Sequence, residues 1–73
     1  MFIVYDREMR PTTTNDIKDV GEIVLTITGK EFAADYARRA AGYMALGEWY
    51  ERDGIRIECV SEAEASARTK ASA

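Results

Sequence analysis

The sequence predicts an α+β fold of order ββαβ, a three-stranded sheet with one long helix packed on one face. Three observations lead there. Phe2-Ile3-Val4-Tyr5 is an unbroken run of β-branched and aromatic residues, the composition favoured in strands. Ile23, Leu25 and Ile27 alternate with Val24, Thr26 and Thr28, and Ile55, Ile57 and Cys59 alternate with Arg56, Glu58 and Val60, the period-two pattern of half-buried strands. Between them Phe32, Tyr36, Tyr43 and Tyr50 line up at about 100° per residue, with Ala33, Ala37, Ala40, Met44 and Gly47 alongside.

The first strand, being apolar at every position, belongs at the centre of the sheet or under cover on both faces. Residues 6–20 follow as a long polar connection broken by Pro11, with threonines that can extend the neighbouring strands. Residues 21–28 read as the second strand. Thr28-Gly29-Lys30-Glu31 then has the form of a capping box that opens the helix over 28–52. The Phe32, Tyr36, Tyr43, Tyr50 stripe is taken as the core face, with Ala40 against the sheet. Asp53-Gly54 ends the helix, glycine suiting a left-handed position after the last turn. Residues 55–60 form the third strand. Short links on both sides of the helix make the second and third strands parallel. Placing the first between them, antiparallel to both, gives the spatial order 2-1-3. The domain spans residues 1–61. Residues 62–73 lack bulky apolar side chains and are expected to form a flexible, frayed tail, although Ser61 and Glu64 have the spacing to cap a short helix.

Composition narrows the chemistry. At 73 residues the chain is one domain, and so small a domain buries only about 60% of its unfolded surface. Association with itself or with a partner is a common remedy. With a single cysteine it has no internal disulfide, and with no histidine it lacks zinc ligands and the commonest general base. No cofactor or metal is expected, and no enzymatic activity. Cys59 falls on the core-facing side of a strand, where a thiol is inert. The N-terminal residues lack the basic flank of a signal peptide, and no apolar run approaches the roughly 20 residues of a membrane span. A cytoplasmic setting without membrane contact is therefore expected. The net charge of −3 offers no general attraction to nucleic acid.

Binding residues are sought off the core stripe. Trp49 falls near Arg38, Gly42 and Ala45 on the helical wheel, and Trp and Arg are the residue types that anchor interfaces. Two structural alternatives stay open for Trp49: covering the long connection, or anchoring the tail. Ala34, Ala41 and Ala45 extend this small-residue surface, which suits close approach by a second helix, as in a homodimer. Arg38 and Arg39 can pair with Asp35 along the helix or join Arg7 and Arg10 in a basic cluster, and an exposed Tyr5 or Trp49 could stack on bases. Trp49, Arg38, Arg39, Ala45, Arg7, Arg10 and Tyr5 are the candidate partner-binding residues.

Over the whole chain this profile resembles small phage and mobile-element proteins, including anti-CRISPR inhibitors, which are short, non-enzymatic and built from a few strands and a helix. The resemblance is one of profile, so no family site transfers to a numbered residue. It implies an inhibitor in the host cytoplasm that occludes a site on a larger defence ribonucleoprotein, with Arg and Trp as anchors or carboxylates standing in for phosphates. The alternative is a small dimeric nucleic-acid-binding or regulatory module that sets Arg7, Arg10, Arg38 and Arg39 on phosphates.

Overall fold

A computed structural model describes residues 1–72. Among them the chain forms β1 (Phe2–Tyr5), β2 (Pro11–Thr14), α1 (Ile17–Thr28), α2 (Glu31–Tyr43), β3 (Trp49–Arg52), β4 (Ile55–Cys59) and α3 (Glu62–Ser72). The strands make one sheet of order β2-β1-β4-β3 in which every neighbouring pair is antiparallel. The paired helices α1 and α2 lie on one face and α3 lies on the other, so the sheet is the middle of three layers.

The unbroken apolarity of β1 has a direct structural counterpart. Phe2 and Val4 join Ile55, Ile57 and Cys59 beneath the helix pair, where Val20 and Val24 of α1 meet Ala37 and Ala41 of α2. Ile3 and Tyr5 point the other way, against Val60 and Ala65. Ile3, Val4, Val20 and Ile57 are sealed from solvent. Each such side chain contributes about 1.5–3 kcal/mol through burial.

Several expectations are corrected. Residues 21–28 are not a strand but most of α1. The run Val20, Ile23, Val24, Ile27 has the i, i+3, i+4, i+7 spacing of a helix as well as the alternation of a strand, and a short apolar run satisfies both. Asp16 decides the matter locally: its carboxylate accepts the Lys18 N–H at the start of α1. Thr28-Gly29 ends α1 rather than following a strand. Gly29 adopts a left-handed conformation and donates its N–H to the Leu25 carbonyl, while Thr28 Oγ1 accepts the Lys30 N–H.

The helix expected over 28–52 stops at Tyr43, and residues 49–52 are β3. Asp53 and Gly54 have φ of 56° and 80°, the pair of positive values that a two-residue hairpin turn requires. They join β3 to β4 instead of ending a helix. The expected three-strand order 2-1-3 is therefore replaced by four strands and a helical pair. The connection over 6–20 contains β2 and a tight turn in which the Asp6 carboxylate accepts the N–H groups of Glu8 and Arg10. The segment expected to fray after Ser61 is α3, with Ser61 Oγ accepting the Glu64 N–H. Ala73, the end of that expected tail, lies outside the described residues.

Ala40 is half-buried on the rim, whereas Ala37 is 2% exposed in the core. Ala37→Glu should cost about 3–5 kcal/mol by burying an unpaired charge. Ala40→Glu should cost under about 1 kcal/mol. Urea unfolding of the two variants checks the orientation of α2. Gly54→Ala should cost about 1–2 kcal/mol in the same assay, because an L side chain is strained at this φ and its Cβ would stand 3.2 Å from Arg7 Cγ.

Candidate functional site

Helix α2 reaches the core with alanines alone. Ala34, Ala37 and Ala41 are its buried residues. Positions 32, 36, 39 and 43 fall within about 60° of one another on the opposite side of the helix. Phe32 is 74% exposed, Tyr43 90% and Tyr36 44%, and Arg39 is exposed among them. The stripe read from sequence as core is thus an open aromatic row, with Tyr50 alone packed against the core.

The row is ordered by its own contacts. Tyr36 stacks on Tyr50 of β3 with ring centroids 5.8 Å apart and 26° between planes, and Phe32 lies 6.5 Å from Tyr36. The Arg52 guanidinium sits 4.5 Å above the Tyr36 ring, a cation–π contact. Tyr36, Arg39, Ala40, Tyr43 and Tyr50 line a shallow depression of about 380 Å3. Burial raises the Tyr50 phenol above its ordinary range, the nearby Arg52 charge offsetting part of the effect. Among the described residues Arg39 has no ion-pair partner, so this face offers aromatic surface and an uncommitted cation together.

The other face of the sheet holds a charged network. Arg56 lies 4.3 Å over the Trp49 ring, donates through Nε to Glu58 at 2.7 Å and approaches Glu51 at 3.3 Å. Arg68 of α3 donates to Glu58, to Glu64 and to the Tyr5 hydroxyl. Burial pushes the Glu58 carboxyl up, but hydrogen bonds from Arg56 and Arg68 and their positive charges outweigh it and hold the group below its ordinary value. The network pins α3 to the sheet.

The sequence-predicted residues fall in separate places. Trp49 is 59% exposed on the α3 side of β3, not on a helix. Tyr5 is buried. Arg7 donates to the Asp53 carbonyl at 3.4 Å, and Arg10 pairs with Asp6 and Glu8. Arg38 pairs with Asp35 and lines the groove between α1 and α2, while Arg39 belongs to the aromatic row. The four arginines form no single cluster. Ala45 is exposed in the link between α2 and β3, whereas Ala34 and Ala41 are buried. The small-residue surface expected to receive a second helix is therefore occupied within the chain. Phe32, Tyr36 and Tyr43 were legible as a surface row only through the alanines opposite them.

Among the described residues no helix is long and apolar enough to cross a membrane, and no three His, Cys, Asp or Glu side chains gather to hold a metal ion. Cys59 is buried. No protein-family model matches the chain, nor does any curated protein or solved structure.

A carboxyl held low in the folded state stabilises the fold above its unfolded value and loses that contribution as pH falls through the folded one. Stability should therefore decline as pH drops below the ordinary Glu58 value of 4.5. NMR titration of the Glu58 carboxyl should place its midpoint below that value, and Glu58→Gln should flatten the acid limb of stability against pH.

Proposed function

We propose that this protein is a non-enzymatic inhibitor that works by covering a site on a larger protein or ribonucleoprotein. The observation that carries the reading is the open row of Phe32, Tyr36 and Tyr43 with Arg39 among them. Exposing such residues contributes nothing to the core. Aromatic residues and arginine are the side chains that anchor interfaces, giving large contact area at low entropic cost. The profile resemblance to small phage and mobile-element inhibitors makes a CRISPR-type defence complex in the host cytoplasm the first partner class to test.

A nucleic-acid module is the second reading. The Tyr36–Tyr50 stack with Arg52 above it has the make-up of a platform for unpaired bases. The net charge of −3 and the scatter of Arg7, Arg10, Arg38 and Arg39 weigh against it.

Expression in cells whose CRISPR system targets a resident plasmid should preserve that plasmid. Tyr36→Ala and Tyr43→Ala should each weaken partner binding by about 2 kcal/mol, roughly thirty-fold, with folding intact by circular dichroism. Undiminished plasmid loss across CRISPR types would overturn the inhibitor reading, and full protection by the double variant would remove the aromatic row from it. Fluorescence anisotropy with a labelled oligonucleotide should show no binding. Binding that collapses between low and moderate salt would favour the second reading.

A further inference from the structure

The two edges of the sheet differ. In a hairpin closed by a two-residue turn, the pair next to the turn is hydrogen-bonded, here Arg52 with Ile55, and the pattern alternates along the strands. Tyr50 therefore bonds Ile57, and the N–H and C=O groups of Trp49 and Glu51 point outward. At the next step Cys59 donates its N–H to the Glu48 carbonyl while its own carbonyl accepts from Gly47, whose φ is 92°, so a bulge ends the regular ladder just before β3. At the opposite edge, Asp6 donates its N–H to the Arg10 carbonyl, so the alternation turns Pro11 and Thr13 away from β1. Proline has no N–H, and its presence at an outward position blocks strand addition there. Helix α3 also packs beside β2. The β3 edge presents both its outward donors.

We propose that β3 pairs with β3 of a second copy of this chain, antiparallel across a two-fold axis at Tyr50. This register sets Trp49 opposite Glu51 on both sides of the axis and engages every outward backbone group of β3. It also sets Glu48 opposite Arg52 of the second copy, twice, and Tyr50 opposite Tyr50. Opposite charges directly across an antiparallel pair are favourable, and the isologous arrangement satisfies both at once. Moving the register two residues toward the turn would instead set Glu51 against Glu51, a like-charge pair. The strand is thus self-complementary in charge in the register centred on Tyr50. Glu48 and Arg52 are both exposed, and each already has contacts within its own chain. Glu48 accepts the Ala45 N–H, and Arg52 lies over Tyr36 with Asp53 at 3.9 Å. The result is one continuous sheet through both copies, with an α2 row on each side of the axis. The proposal goes beyond partner docking and does not depend on it.

Sedimentation and light scattering over a concentration series test it. The natural chain should show a monomer–dimer equilibrium. Glu48→Arg and Arg52→Glu should each weaken dimerisation by about tenfold or more, because each sets like charges across the axis. An equimolar mixture of these two variants should form heterodimers. One variant then carries arginine at both positions and the other glutamate at both, so opposite charges meet at each pair across the axis. The double variant Glu48→Arg/Arg52→Glu should dimerise like the natural chain. Circular dichroism of each variant establishes that it is folded. A natural chain that stays monomeric at millimolar concentration would overturn the proposal. So would a dimer indifferent to both single substitutions, or folded single variants that fail to associate when mixed.

Discussion

Everything in this fold follows from one strand that must be hidden on both sides. Phe2 and Val4 face one way, Ile3 and Tyr5 the other, and all are buried. A strand of this kind cannot lie on a two-layer sheet with a wet back. The chain must supply cover twice within 73 residues. The α1–α2 pair does so on one face with valines and alanines. On the other face α3 has little apolar material, and Ala65 is its buried contact with Ile3, Tyr5 and Val60.

That poverty explains the charged network. Among the described residues of α3 the buried side chain is the small one of Ala65, which gains little from hydrophobic burial, so polar anchors hold the helix. Arg68 reaches across from α3 to Glu58 and the Tyr5 hydroxyl, and Arg56 brings a second cation to Glu58 while lying over Trp49. Trp49 is consequently part of a structural arrangement on this face.

The opposite economy shapes the aromatic face. Because α2 meets α1 and the sheet through alanines, it packs closely and leaves its bulky residues outside. The aromatic row is the consequence of a small-residue core side, and Tyr50 and Arg52 from β3 tie it to the sheet edge. The aromatic row and the β3 edge are thus neighbours on one side of the molecule.

The sequence by itself determined the β1 and β4 strands, a buried Cys59 and a helix through the middle of the chain, and it placed Ser61 and Glu64 at capping distance while leaving the segment after them as a tail. Each rests on patterns within a few residues. The rest was decided by tertiary packing. Val20 to Ile27 fits strand and helix alike; the Asp16 cap favours the helix locally, and the sheet beneath Val20 and Val24 gives its apolar face something to pack on. Tyr36, Tyr43 and Tyr50 repeat every seven residues, which mimics a single helical face. The Asp53-Gly54 turn folds Tyr50 back as a strand instead, and the alanines opposite turn Tyr36 and Tyr43 outward. Among the candidate site residues, Arg39 alone joins the aromatic row. Local periodicity shows that a stripe exists, but which side of a helix is buried depends on what the rest of the chain brings against it.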